Sequence, residues 1–492
     1  MILTILLSAF LLIQSFVPMR TAVQIGADEG FELAKATLCL KGYQLYTEVW
    51  NDQPPLHTFF ITQILKHVSP SILGPRLLTT GFTLILLVSV FLISRRISGL
   101  MVAGLTVALL SVSPGFIELS SSCMLEIPAL ASAVAALAVL QSCRQTRWRI
   151  GEVLSGVLFG VAFQMKLVTV ILLPLAALII WLRHREPVLQ GGAGVPPAAR
   201  SSRESCASLF RSLSLLAASL ALSFVAIDCA IDRGAFLLHF QQSWSSHFAA
   251  AKSFEYGSPN DHPFDWGVLL KNWDTTVPAL LGIVFLGRLR GTAAAIVPLG
   301  WLILMLAIFA THKPWWSYYY IHSAIPLCWC AAIGLEAIWK RSRLRRSIRS
   351  YVMLGVFGIF ALGWMSSRVY FQVAGIRGSP QTHSSMVLGE IERLKPFAKF
   401  IYADESIYSF HAGIPMPPNM AVLPLKRFWS GDMTNSRVAE EMWAVKPEVI
   451  LLRNDTREVP FQDLIDAEYR VVYQDADHRL YTKKSLAKQA GY

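Results

Sequence analysis

The chain has 492 residues, of which 54% are hydrophobic and only 15% are charged, and its mean hydropathy is +0.46. Because so few polar side chains cannot cover a soluble globule, the composition favours a protein embedded in lipid. The formal net charge is +12, but the basic clusters adjoin apolar segments, which indicates cytoplasmic loops and argues against nucleic acid as a partner.

Apolar segments recur along the chain, and Lys or Arg follows every second one. Since basic residues mark the inner ends of membrane spans, we expect a cytoplasmic N-terminus and a C-terminal segment outside. The first segment lacks a good cleavage site, so we expect it to be retained as a span. We predict about eleven spans, with the count open by two because some are short: 1–17, 72–94, 97–113, 125–142, 151–165, 167–183, 209–228, a span ending at 288, 292–311, 320–339 and 351–366.

The first outer loop, residues 18–70, contains two predicted amphipathic helices. Asp28 begins the first, which ends at Gly42, and Pro54-Pro55 opens the second, which runs to about residue 68. Helices on the membrane surface would hold Asp28 and Glu29 at the lipid boundary. Two interpretations fit these acids: they act in catalysis, or they favour the positive end of the helix dipole.

Glu126 opens the fourth span at its outer end. A carboxylate in an apolar span costs roughly 2.5–3.5 kcal/mol at mid-membrane and less near the interface. Such a residue is usually paired or functional. Catalysis and plain interfacial placement both explain Glu126, and Glu118 is the second choice in this loop.

Lys166 interrupts the apolar run at the tip of the hairpin between the fifth and sixth spans. Its ammonium group either extends to water or binds an anionic headgroup. A second basic segment, His312-Lys313, leads into Tyr319 and Tyr320 at the start of the tenth span. An aromatic belt explains the intervening tryptophans, whereas the imidazole, ammonium and hydroxyl groups together suit a phosphodiester.

The remaining motifs exclude several kinds of site. The outer loop 229–275 contains His239, His247 and His262, but no HExxH motif supports a zinc site. No GxxxxGK[ST] loop is present, which argues against ATP-driven work. The seven cysteines form no CxxC pair, so we expect free thiols rather than disulfides or metal ligands.

Beyond residue 367 the composition changes to that of a small α/β domain outside the membrane. Strands are predicted at 398–403, at 449–452 and in a closing hairpin of 469–473 with 479–481, and a helix at 437–445. We expect no catalytic residue in this domain.

The first outer loop carries a family resemblance. Asp28-Glu29 just after the first span, Gly42-Tyr43, and the segment Gln53 to Leu56 resemble the GT-C superfamily of polyprenyl-phosphate-sugar glycosyltransferases. The likeness is greatest to bacterial relatives of protein mannosyltransferases and to the lipid A aminoarabinose transferase, and it extends over nearly the whole chain. It implies an α-helical polytopic transferase domain, residues 1–366, in the bacterial inner membrane, with an extracytoplasmic α/β domain, residues 367–492.

The resemblance also implies an activity: inverting transfer of a sugar from a polyprenyl-phosphate donor to a glycolipid, glycan or protein acceptor. The catalytic residues would be Asp28, Glu29 and Glu126, and these acids leave open a divalent metal ion. Several relatives have a basic residue soon after the acid pair, where this chain has Gly30 and Phe31, so no phosphate contact is expected there. The residues predicted to bind substrate are Gln53, Lys166, His312, Lys313, Tyr319 and Tyr320.

Two other functions fit a polytopic chain with charges in its spans. A lipid-linked glycan polymerase or ligase uses the same donor, but it would have an arginine-rich outer loop, and loop 229–275 contains only Arg233. A transporter or flippase usually shows internal repeats with broken helices, and the sequence has no convincing repeat.

Overall fold

The computed structural model describes most of the chain, and the fold is largely helical. His262, Arg233 and most of the segment between the sixth and seventh predicted spans lie outside the described residues. The described residues are 1–21, 28–68, 71–143, 149–185, 202–232, 235–252, 263–289, 292–344, 348–379, 385–456 and 458–492.

Seventeen α-helices precede the C-terminal domain in the described part of the chain. They are α1 (Ile2–Ser15), α2 (Asp28–Leu40), α3 (Leu56–His67), α4 (Leu73–Ser98), α5 (Leu100–Ser111), α6 (Phe116–Ser120), α7 (Glu126–Ser142), α8 (Ile150–Met165), α9 (Leu173–Arg185), α10 (Ser202–Asp232), α11 (Phe236–Phe240), α12 (Ser246–Lys252), α13 (Gly267–Lys271), α14 (Trp273–Leu289), α15 (Thr292–Thr311), α16 (Tyr320–Leu344) and α17 (Ile348–Gly378).

The apolar helices follow the predicted spans in order. Five stretches are long and apolar enough to cross a membrane, and the other apolar helices in the described residues have 10 to 17 residues, so the number of spans stays a prediction. The polytopic helical fold is confirmed. The five long stretches are Leu73–Ser98, Leu167–His184, Cys206–Asp232, Ser317–Arg343 and Tyr351–Gly378.

Small residues bring α8 and α10 into close contact. A Cβ atom added at Gly156 would lie 2.5 Å from the carbonyl oxygen of Leu216, and one at Gly160 would lie 3.0 Å from that of Leu220. Apolar side chains gain little by leaving lipid for another helix, so membrane helices associate through close packing of such small residues. The spacing of the two glycines therefore fixes this helix pair.

Replacing Gly156 with alanine should destabilise the protein by about 1–3 kcal/mol, because the backbone of α10 cannot yield to the added methyl group. The measurement is the midpoint of thermal unfolding in detergent. Gly363→Ala on α17 is the matched control, since a Cβ there meets open space. That variant should be neutral or slightly stabilising; equal midpoints for both variants would contradict the packing argument.

The C-terminal domain is a four-stranded mixed sheet with helices. Its strand order is β1-β2-β4-β3, with β1 parallel to β2 and both other pairs antiparallel. All the predicted strands and the predicted helix are present. The elements are α18 (Met386–Leu394), β1 (Ile401–Ala403), α19 (Ile407–Ala412), α20 (Leu425–Trp429), α21 (Asn435–Val445), β2 (Val449–Arg453), α22 (Gln462–Glu468), β3 (Tyr469–Gln474), β4 (His478–Lys483) and α23 (Lys484–Gln489).

The last apolar helix continues past the expected domain boundary. Our prediction ended the final span at 366 and began the C-terminal domain at 367, but α17 runs on to Gly378. Residues 364–374 contain no Gly or Pro, so nothing local stops the helix at 367.

The helices of the first outer loop lie beneath the C-terminal domain. Leu33 and Ala36 of α2 and Ile61 of α3 are fully buried in one apolar cluster with Ile391 and Ile401 of the domain. The sequence predicted this pair of helices but not its packing against the C-terminal domain. The reason is that α2 has apolar residues on more than one face, which needs partners on both sides.

Candidate active site

A cavity of about 490 Å³ lies where the first outer loop, the turn after α8, the start of α16 and the C-terminal domain meet. Most of the polar groups in its wall come from segments far apart in the sequence. The charged and aromatic lining residues are Asp28, Phe31, Glu32, Lys35, Asp52, Lys166, Trp316, Tyr318, Tyr319, Asp404, Lys426 and Trp429.

Asp28 is the first residue of α2, and its side chain lines the cavity. The hydroxyl of Tyr318 donates a hydrogen bond of 3.0 Å to its Oδ2. Burial, followed by the charge of Glu126, raises the pKa of Asp28 to about 6, although Lys166 and Tyr318 act in the opposite direction. A carboxylate with this pKa in a cavity is suited to accept a proton near neutral pH.

Glu126 and Lys166 form a buried ion pair beside Asp28. Glu126 is 0% exposed at the N-terminus of α7, and the ammonium group of Lys166 contacts its Oε1. The other oxygen, Oε2, is buried with no hydrogen-bond partner among the described residues. Lys166 also lies over the rings of Tyr318 and Tyr319, 5.3 Å from each centroid.

The turn that carries Lys166 is formed by a break between two helices. Lys166 is extended, with φ −157°, between the end of α8 and a 3₁₀-helix, Leu167–Leu172. The break directs the lysine side chain into the cavity rather than along the helix pair. It therefore contacts a carboxylate and two aromatic rings instead of extending to bulk water.

Glu29 has a different environment from its neighbour Asp28. Arg76 of α4 donates two hydrogen bonds to it, from Nε at 2.8 Å and from Nη2 at 2.7 Å, and the backbone N–H of Cys123 donates a third at 2.7 Å. Both carboxylate oxygens are thus occupied, and neither Glu29 nor Arg76 exceeds 1% exposure. Glu29 ties the first turn of α2 to α4 and to the segment that leads into Glu126.

Glu32 lines the same cavity one helical turn after Asp28, as expected for residues on one face of a helix. Lys35 donates to it at 2.5 Å, and the hydroxyl of Thr58 donates at 3.1 Å. Burial alone would raise the pKa of Glu32, but Lys35 and His57 lower it to about 2. Glu32 therefore stays ionised and paired.

The C-terminal domain contributes a lysine to the cavity. Lys426 of α20 donates hydrogen bonds of 2.8 Å to Asp52 in the first loop and of 2.8 Å to Nε2 of His247. Burial opposes ionisation of Asp52, yet Lys426 holds its pKa well below the ordinary value. Burial and then Lys426 lower the pKa of His247 to about 3, so this imidazole is neutral.

The remaining residues predicted to bind substrate occupy different places. Gln53 and Tyr319 line the cavity, and the ring of His312 lies 5.9 Å from that of Tyr319. Lys313 directly precedes Pro314, which lines the cavity. Tyr320 is 4% exposed and packs in the core of the helical bundle.

Sequence reasoning missed Arg76, Asp52, Tyr318 and Lys426. Arg76 carried a usable signal, because an arginine near the end of an apolar span needs a partner. Tyr318 and Asp52 are direct neighbours of predicted residues. Lys426 had no such signal, since it is 374 residues from its partner Asp52.

The comparisons with known proteins agree with this architecture. Residues 52–193 match the model of the dolichyl-phosphate-mannose-protein mannosyltransferase family. No curated protein sequence matches the chain significantly.

Two solved membrane proteins share the fold. ArnT from Cupriavidus metallidurans, solved with bound undecaprenyl phosphate, is 14% identical, with a TM-score of 0.65 and 98% of each chain covered. The oligosaccharyltransferase AglB from Archaeoglobus fulgidus, in complex with an inhibitory peptide and a dolichol-phosphate, is 11% identical, with a TM-score of 0.57 over 92% of this chain and 69% of that one. The shared fold and the family match over residues 52–193 agree with the resemblance seen in the sequence: this chain is a multi-pass membrane protein with the same fold as ArnT and AglB.

Proposed function

We propose that the chain is an inverting glycosyltransferase that moves a sugar from a polyprenyl-phosphate donor to an acceptor hydroxyl. The observation that carries the proposal is the convergence of Asp28, Lys166 and Tyr318 at one cavity, with Glu126 paired to Lys166 behind its wall, although the four residues come from four separate segments. A carboxylate that can accept a proton lies beside an ammonium group that can bind a phosphate. Lipid-linked sugar transfer needs these two groups together.

Asp28 acts as the general base in this proposal. It removes the proton of the acceptor hydroxyl while that oxygen bonds to the anomeric carbon of the sugar. The bond between that carbon and the phosphate oxygen breaks on the opposite side, so the anomeric configuration inverts. Base catalysis of this kind contributes about 10²–10⁴-fold to the rate.

Lys166 binds the phosphate that leaves. Lys166 is only 7% exposed as a residue, so the attraction of its ammonium group for a developing phosphate charge is weakly screened by water. Glu126 holds the ammonium group in place, and the rings of Tyr318 and Tyr319 limit its movement. Lys313 lies on the same aromatic segment and adds positive charge near the cavity in this proposal. Burial and then Lys426 lower the pKa of His312, so its neutral imidazole would contribute a hydrogen bond rather than a charge.

Glu29 is assigned a positioning role rather than direct catalysis. Its two oxygens are occupied by Arg76 and by the backbone of Cys123, so it offers no lone pair well placed for a substrate proton. By joining the first turn of α2 to the segment before α7, it sets the separation of Asp28 and Glu126. Because both oxygens of Glu29 are already occupied, a metal ion at these acids would be bound by Asp28 and Glu126.

The reaction is proposed to take place on the outer face of a bacterial inner membrane. The basic ends of the predicted spans support a cytoplasmic N-terminus. Because successive spans alternate in direction and their predicted number is odd, the first loop and the C-terminal domain would both lie outside. The domain covers the cavity with α20, and its Lys426 binds Asp52. In this proposal α20 and its neighbouring loop contact the acceptor, which is a glycolipid, a glycan or a protein.

The experiment that tests this function uses membranes containing the chain and a panel of radiolabelled polyprenyl-phosphate sugars. We expect label from one donor to appear in a lipid, glycan or protein fraction, with release of polyprenyl phosphate. Polymer formation on the carrier itself would favour the polymerase alternative. Movement of an intact donor across the membrane without transfer would favour a flippase.

The pH dependence of transfer should reflect Asp28. Its pKa is raised to about 6, and a base acts only when ionised, so kcat/KM should fall about tenfold per pH unit below pH 6. The measurement is the initial rate of transfer between pH 4.5 and 8. A rate that stays constant down to pH 5 would show that an ordinary carboxylate, or no carboxylate, limits the reaction.

A further inference from the structure

Three potential metal ligands cluster at the outer end of α10, outside the cavity described above. Asp228 and Asp232 lie one turn apart at the C-terminus of this helix, and His239 follows on α11. Nδ1 of His239 is 2.5 Å from Oδ1 of Asp228 and 2.9 Å from Oδ2 of Asp232. One atom from each residue lies within 4.8 Å of the others.

This cluster has fewer hydrogen-bond donors than its buried acceptors need. Nδ1 of a histidine carries at most one hydrogen, but it faces oxygens of two carboxylates. Among the described residues, both oxygens of Asp232, Oδ2 of Asp228 and Nε2 of His239 are buried without a hydrogen-bond partner. The three side chains are at most 2% exposed, so water does not readily supply the missing bonds.

The net negative charge of the cluster also favours a bound cation. Two ionised carboxylates carry a charge of −2, and an imidazolium would offset only half of it. Both acids also lie at the C-terminus of a helix, where the dipole disfavours negative charge. Buried charges of this kind are stable only when they are paired or bind a metal ion.

We propose that Asp228, Asp232 and Nδ1 of His239 bind one divalent transition-metal ion of the Zn²⁺ type. With its proton removed, Nδ1 directs a lone pair toward the two carboxylates, and a cation between them satisfies all three groups at once. A ligand set with one imidazole and two carboxylates suits Zn²⁺ or Mn²⁺ better than Ca²⁺ or Mg²⁺, which prefer oxygen ligands alone. Water or another ligand completes the coordination.

The proposed ion would stiffen the loop that borders the cavity. The ring of Tyr46 stacks on His239, with centroids 4.7 Å apart. Its hydroxyl donates to the carbonyl oxygen of Gln53 at 2.8 Å, and Gln242 donates to the carbonyl oxygen of Tyr46 at 2.8 Å. An ion that holds His239 therefore also holds the segment that carries Asp52 and Gln53 into the cavity.

This site could not be recognised in the sequence, because the spacing of its three residues matches no familiar zinc motif. The two acids are four residues apart and the histidine follows after a helix break. Of the three histidines noted in this outer loop, His239 alone belongs to the cluster within the described residues.

Metal content of the purified full-length protein tests the proposal. The protein in detergent is stripped with EDTA, supplied with Zn²⁺, passed through a desalting column and analysed by mass spectrometry for bound metal. We expect about one Zn²⁺ per chain, and none in the double variant Asp228→Asn/Asp232→Asn. The matched control Asp265→Asn, a partly exposed acid paired with Lys271, should keep the ion.

Two further results keep the test decisive if the double variant does not fold. Added Zn²⁺ should raise the unfolding midpoint of the wild type, because an ion that binds only the folded state stabilises it, and His239→Gln should abolish that rise. Absence of Zn²⁺, Mn²⁺ and Co²⁺ from the wild type, or an unfolding midpoint that none of them changes, would overturn the proposal. Neither the metal content nor the unfolding midpoint depends on transferase activity. A negative result in these tests would therefore leave the proposed function unaffected.

Discussion

Replacing Asp28 with asparagine is expected to lower kcat for sugar transfer by about 10²–10⁴-fold, the loss typical when a general base is removed. Asparagine has almost the same shape and keeps an oxygen for the hydroxyl of Tyr318, so the cavity should persist. The measurement is the rate of transfer under saturating donor. The KM for the donor should change little, because in this account Lys166 rather than Asp28 binds the phosphate.

Asp265→Asn provides the matched control for this experiment. It makes the same chemical change at an outer-loop acid that is 48% exposed, and its transfer rate should equal that of the wild type. Both variants should keep the unfolding midpoint within experimental error. Wild-type turnover by Asp28→Asn would remove Asp28 from the mechanism, whatever the control does.

The Arg76→Met substitution is expected to have the largest effect on stability. It removes the guanidinium group that donates two hydrogen bonds to Glu29, which is 0% exposed. Removing one partner of a buried ion pair typically costs about 3–5 kcal/mol, because the other charge is left without a partner. The measurement is the change in unfolding midpoint in detergent, and a marked loss of folded protein in the membrane should accompany it.

Two controls separate the ion pair from other effects. The double variant Glu29→Gln/Arg76→Met removes both charges, so it should be more stable than Arg76→Met alone. Arg393→Met breaks a surface pair with Glu390, where the arginine is 58% exposed, and should cost less than about 1 kcal/mol. Equal losses for Arg76→Met and Arg393→Met would show that the buried pair has no special importance.

Most of the fold could be predicted because it depends on local patterns. Long apolar segments predicted the helices of the bundle, and Asp28, Gly42 and Pro54-Pro55 marked the bounds of α2 and α3 closely. Alternating apolar residues predicted the strands of the C-terminal domain. The exception is α17, which continues to Gly378, because a loss of apolar character such as that near 367 does not by itself end a helix.

The site was predictable only in part, because pairing across the sequence leaves little local trace. Asp28, Glu126 and Lys166 were predicted as charges beside apolar segments. Asp28 and Lys166 line the cavity, and Glu126 is buried in an ion pair with Lys166. The hydrogen bond from Arg76 to Glu29 depends on how α2 packs against α4, and no local sequence pattern predicts that packing. The same is true of Lys426, which reaches Asp52 only because the C-terminal domain covers the first loop.

The most direct test of the central claim is the structure of the protein bound to a polyprenyl phosphate, determined by electron cryomicroscopy. We predict that the phosphate lies within hydrogen-bond distance of Nζ of Lys166, with the lipid chain leaving the cavity toward the membrane. The Lys166→Met variant should lose this density, whereas Lys271→Met, at a lysine that is 76% exposed, should keep it. A phosphate bound elsewhere, with the cavity beside Asp28 and Lys166 empty, would contradict the account.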